Sequence, residues 1–90
     1  MNSSQPNRPR ARRVWFDSEL LHVELVDGRV IAARYDVFPR LVEATPAQRE
    51  NWEIIGAGVG IHWPDVDEDL STEGLLRDAV TVIAARARAI

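Results

Sequence analysis

The residues able to do chemistry crowd into one stretch, Trp52 to Leu76, which reads WEIIGAGVGIHWPDVDEDLSTEGLL. His62 with Asp65, Asp67 and Asp69 brings an imidazole and three carboxylates within eight residues, the donor types of zinc and calcium centres. The spacing is that of neither. D-x-D-x-D begins a calcium loop, but the glycine that turns such a loop and its closing glutamate are missing. Gly56, Gly58 and Gly60 follow a strand pattern, as phosphate loops do. Their G-x-G-x-G spacing and the IHWP after it offer no helix N-terminus to a phosphate, so they read as a bulge or tight turn. Nucleophilic catalysis lacks its parts as well. There is no cysteine, His22 and His62 fall in different elements, and no serine sits in a nucleophile elbow. The expectation is a protein that is not an enzyme, with no metal and no cofactor. Asp67, Glu68 and Asp69 read as capping and surface charge before a helix, where the helix dipole favours acids.

The chain that must position these residues is short. Ninety residues, 46% hydrophobic and 28% charged, make one small globular domain with little stability to spare. Without cysteine there is no disulfide framework and no thiolate metal site. No apolar run reaches the ~20 residues that span a bilayer, and the arginines near the N-terminus have no apolar stretch after them as a secretory signal would. A cytoplasmic protein is expected. The charge is lopsided: Arg8, Arg10, Arg12 and Arg13 crowd the first 13 residues, and the other 77 carry 7 arginines against 14 acids. An acidic body suits a phosphate backbone poorly. The basic tail alone offers a contact for nucleic acid, although a solvated, disordered terminus is the favoured account of it.

Residues 1–12, MNSSQPNRPRAR, predict a disordered tail, and 13–78 the domain proper. Val14 to Phe16 form a short strand, with Asp17-Ser18 turning after it. The clearest element is ELLHVELV, Asp27-Gly28, RVIAARY, a β-hairpin. A three-residue loop with Gly28 in a left-handed bulge sets Val23 against Ile31 and Leu21 against Ala33. It puts Leu21, Val23, Leu25, Ile31, Ala33 and Tyr35 on one buried face and leaves His22, Glu24, Ala32 and Arg34 largely wet. Phe38 and Leu41, three apart, predict a helical turn dropped onto that face. Thr45-Pro46-Ala47-Gln48 reads as a capping box with proline at the first helical position. Trp52 to Ala57 and Ile61 to Trp63 read as strands, with Trp52 and Ile54 on one side and Ile55 on the other. Ser71 caps a last helix. The stripe Leu76, Val80, Ile83, Ala87 and Ile90 carries that helix toward the C-terminus, with 79–90 as a helical extension. The class expected is α+β, a small antiparallel sheet packed against two or three helices.

The D-G hairpin, the F-P-R-L turn at Phe38 to Leu41, the T-P-x-x-R-x-N-W segment from Thr45 and the G-x-G-x-x-x-H-W-P-x-x-D-E-D-x-S-x-x-G-L-L run occur in that order. Together they resemble the small bacterial proteins grouped as domain of unknown function family 2442, over roughly residues 13–78. The resemblance implies an α+β fold and no established catalytic activity. Some family members carry a helix-turn-helix domain after this module, and others look like partners of a second small protein in toxin–antitoxin-like gene pairs. Here TVIAARARAI is too short for a helix-turn-helix domain.

The function expected is therefore a non-enzymatic protein-interaction module, the antitoxin-like member of a two-protein pair. The alternative is a nucleic-acid-associated regulator using Arg8, Arg10, Arg12 and Arg13. Trp63, Asp65, Asp67 and Glu68 are the expected contact residues of the body, since tryptophan often anchors interfaces and acids suit a basic partner. Ile83, Arg86, Ala87 and Ile90 are those of a C-terminal helix that either meets a second chain or completes the core. The partner is a cognate small basic protein or a second copy.

Overall fold

The computed structural model describes residues 8–78 and 81–84, the last four by their backbone. Among the described residues, seven strands fall into two antiparallel sheets. The first has the order β1-β2-β3-β7, built from β1 (Ala11–Phe16), β2 (Leu20–Leu25), β3 (Arg29–Arg34) and β7 (Thr81–Ala84). The second has the order β4-β5-β6, from β4 (Glu53–Ile55), β5 (Gly60–Trp63) and β6 (Glu68–Ser71). Three short helices complete the α+β fold: α1 (Pro39–Val42), α2 (Pro46–Glu50) and α3 (Thr72–Asp78). No helix among the described residues is long and apolar enough to cross a membrane.

The hairpin has the expected register, with Leu21 opposite Ala33 and Val23 opposite Ile31. Gly28 is left-handed at φ 97°, and its amide donates to the Leu25 carbonyl at 3.0 Å. A β-branched side chain tolerates that φ badly. Gly28→Val is expected to lower stability by about 1–2 kcal/mol in chemical denaturation, and an unchanged midpoint would contradict the turn.

Leu21, Val23, Leu25, Ile31 and Ala33 are buried as one face, whereas Tyr35 is half-buried in a 3-10 turn, Tyr35–Val37, beyond the strand end. The opposite face is drier than expected. Ala32 is 2% exposed and Val30 is 8%; Ala32 lies in one cross-strand row with Trp15 and His22, whose rings stack 5.1 Å apart and nearly parallel. From the second sheet Ile61 and Trp63 enter the same core, joined by Leu41 of α1 and Leu75 of α3. The capping box is present: Thr45 Oγ1 accepts from the Gln48 amide at 3.1 Å, and Gln48 Oε1 accepts from the Thr45 amide at 2.9 Å.

Three boundaries differ from the sequence reading. Ala11 and Arg12, assigned to a disordered tail, belong to β1, where Ala11 is buried. The pairing shifts between Ala11 and Arg13; this bulge places Ala11 and Val14 inward three residues apart, a spacing that does not look like a strand. Glu68–Ser71, whose acids read as capping and surface charge before a helix, is a strand. The last helix ends at Asp78, and Thr81–Ala84 pairs antiparallel with β3, Ile83 opposite Val30. The β-branched run Thr81-Val82-Ile83 satisfies the open edge of β3, and this tertiary pairing overrides the helical spacing. Of the predicted stripe, Val80, Ala87 and Ile90, with Arg86, lie outside the described residues.

Candidate interaction surface

Strand alternation puts the outer face of the second sheet to solvent while Ile54, Ile61 and Leu70 turn inward. One cross-strand row on that face runs Glu53, His62, Asp69, each opposite the next. His62 Nδ1 and Asp69 Oδ1 are 2.5 Å apart, and this bond, with the charges of Asp69, Glu53 and Asp67, raises the histidine pKa above its ordinary value. In the adjacent row Ile55, 39% exposed, lies over Gly60, where a Cβ would meet its Cγ1 at 3.0 Å. Glu68, opposite the buried Trp63, belongs to the other side of the sheet. From Glu50 to Asp78 eight acids face a single arginine, Arg77.

Because the pKa of His62 is raised in the folded state, its pair with Asp69 adds stability at pH below the ordinary histidine value, and that increment disappears as pH rises through the raised value. Wild type is expected to lose stability as pH rises from about 5.5 past the ordinary histidine value of about 6.5 and through the raised one, by a margin that Asp69→Asn lacks. Denaturation midpoints of both proteins across that range check it. Equal pH dependence would contradict the pairing.

The acids predicted as helix caps have other duties. Ser71 does cap α3, its Oγ accepting from the Gly74 amide at 2.8 Å. Asp67, by contrast, sits in a left-handed turn at φ 55°, and its carbonyl accepts from Arg40 at 2.6 Å. Glu68 lies opposite Trp63 and accepts the Asp69 amide at 3.1 Å. Asp65 accepts from Asn51 Nδ2 at 3.0 Å. Among the described residues no group of three or more His, Cys, Asp or Glu is placed to hold a metal ion.

Trp63 is not a contact residue. It is 0% exposed, its Nε1 donates to the Arg49 carbonyl at 3.0 Å, and its ring meets Phe16 edge-on. The inward phase of β5 places it there. Ile83, expected on a helix face, occupies a strand position opposite Val30. Sequence reasoning weighed His62 and Asp69 only as metal ligands or capping charge and passed over Glu53 and Ile55, which were marked by one signal: Ile55 falls on the opposite side of β4 from Trp52 and Ile54.

The arginines of the alternative reading are spread out. Arg8 and Arg10 are exposed ahead of β1. Arg12 and Arg13 both pair with Glu24, at 3.5 and 3.1 Å, and the Arg13 guanidinium lies 4.8 Å over the Trp15 ring. On the same side His22 Nε2 meets Asp17 Oδ2 at 2.8 Å. That bond, with the Glu19 and Leu20 amides, holds the Asp17 carboxyl down at about 2.

Comparison with known proteins agrees with the fold. A crystal structure of a protein of unknown function from Rhodospirillum rubrum is 36% identical, with a TM-score of 0.70, over 79% of this chain and 88% of that one. No curated protein matches. The family described as "Protein of unknown function (DUF2442)" matches residues 11–81, from the first residue of β1 to the first of β7, and the chain belongs to it.

Proposed function

We infer that the chain is a non-enzymatic protein-interaction module, and that the outer face of the second sheet, with α3 beside it, receives a basic protein partner. The observation that carries this reading is the charge division. The stretch from Glu50 to Asp78, which holds all three strands of this sheet, carries eight acids against one arginine, with Glu53 and Asp69 in one outward row and Ile55 exposed beside it, while Arg12 and Arg13 are engaged by Glu24 on the other sheet. A one-signed face speeds encounter with an oppositely charged partner and rejects phosphate backbones. In its specific form the module is the antitoxin-like, cytoplasmic member of a two-protein pair, whose partner is a small basic protein.

Titration calorimetry of the purified chain against the products of its adjoining genes tests this. Binding is expected to weaken with added salt and to fall on the order of tenfold or more in Glu53→Arg/Asp69→Arg. Binding indifferent to charge reversal on this face, or a salt-sensitive shift of a DNA probe that disappears with residues 1–12, would contradict it.

A further inference from the structure

The chain just ahead of β1 is fastened at two points. Thr72, 1% exposed, donates its hydroxyl to the Pro9 carbonyl at 2.7 Å, and the Val26 amide donates to the Arg10 carbonyl at 2.9 Å. Between this strap and the tip of the β2–β3 hairpin lies a pocket of about 350 Å³, within the roughly 300–1,000 Å³ of sites that take a small molecule. Pro9, Leu25 and Val26 give it an apolar lining, and Arg8, Arg10 and Arg29 bring three guanidinium groups to it. The acid among the lining residues is Asp27. Its carboxylate accepts from the Arg29 amide at 3.0 Å and from Arg29 Nε at 2.9 Å, which holds that side chain at the tip and leaves its terminal nitrogens to other partners. Among the described residues neither Arg8 nor Arg10 is ion-paired.

Three positive charges against one negative give the pocket a formal +2. A phosphate monoester, at about −1.5 to −2 near neutral pH, balances that charge, whereas a carboxylate or a phosphodiester balances half of it. Guanidinium groups fork onto phosphate oxygens, and a strap already fastened gives up little freedom when it binds. We infer that this pocket holds the phosphate group of a small phosphomonoester. A nucleic-acid backbone is the poorer match. Each of its phosphates carries a single charge, and the 77 residues after Arg13 carry 7 arginines against 14 acids, which repel a polyanion. No lining residue belongs to the second sheet, so the assignment stands apart from the partner reading above.

Titrating methyl phosphate into the isotope-labelled full chain at about pH 7.5, where the monoester is doubly charged, tests the assignment by amide chemical shifts. Dimethyl phosphate at equal ionic strength is the singly charged control. Saturable shifts are expected at Arg10, Val26, Gly28 and Arg29, with dissociation in the millimolar range or below. The diester should bind on the order of tenfold more weakly. Arg8→Gln/Arg10→Gln should weaken methyl phosphate by a similar factor, whereas Arg12→Gln/Arg13→Gln, an equal loss of charge outside the pocket, should leave it unchanged. All four arginines are exposed, so both variants should keep the fold, which the same spectra report. Absence of saturable shifts, equal affinity for the diester, or an equal loss in Arg12→Gln/Arg13→Gln would overturn the assignment. Tighter binding of inorganic phosphate, or of a DNA oligonucleotide without terminal phosphates, at the same amides would also overturn it, in favour of the free ion or a nucleic-acid backbone.

Discussion

Replacing Trp63 by alanine is expected to cost about 3–5 kcal/mol, a large share of the total stability of so small a domain. The side chain is fully buried, joins both sheets in one apolar cluster and meets Phe16 at 6.2 Å between ring centres. Its removal leaves a cavity under β5, and the Arg49 carbonyl loses its 3.0 Å donor. Trp63→Phe keeps much of the volume but not the donor, and should fall between alanine and wild type. Urea denaturation followed by circular dichroism ranks the three proteins. A Trp63→Ala midpoint near the wild-type value would mean that the tryptophan is not in the core.

The second large effect is expected at Gly58, whose φ is 103°. A Cβ there would stand 2.8 Å from the Cβ of Arg10 and 3.3 Å from the carbonyl oxygen of Ala11. The obstacle is the beginning of β1, not the end of a flexible side chain. Gly58→Ala therefore combines left-handed strain of about 1–3 kcal/mol with displacement of β1 from the glycine turn. It should also disturb the bonds that Thr72 Oγ1 donates to the carbonyls of Pro9, at 2.7 Å, and Val59, at 3.2 Å. Gly60→Ala is the control, since its Cβ would meet only the Ile55 side chain closely, and it should be milder. Thermal melts of the two variants in reverse order would refute this account of the turn.

What the sequence made legible was what its local chemistry specifies. The Asp27-Gly28 turn and the phase of the two runs beside it set the hairpin register, and the Thr45–Gln48 box and the Ser71 cap are formed within a few residues of each other. The elements that escaped are those held by distant partners. Glu68–Ser71 has a single inward apolar residue, Leu70, and becomes a strand only by pairing with β5. Thr81–Ala84 has the spacing of a helix stripe, yet the unfilled edge of β3 decides its conformation. Trp63 illustrates the same division: its residue type suited either interface or core, and only the phase of β5 against the rest of the sheet buries it. Of the candidate face, the acids were visible, while the row that aligns Glu53, His62 and Asp69 required the pairing of three strands.

Whether that face meets a protein is tested most directly by a photo-crosslinking residue at position 55 in the source cells, with position 37, where Val37 is 66% exposed, as the control site. A discrete adduct is expected from position 55 only. Mass spectrometry should identify it as a basic protein, and it should disappear when Glu53 and Asp69 are both changed to arginine. Absence of an adduct, crosslinking to nucleic acid, an equal adduct from position 37, or an adduct that persists after charge reversal would contradict the interaction reading.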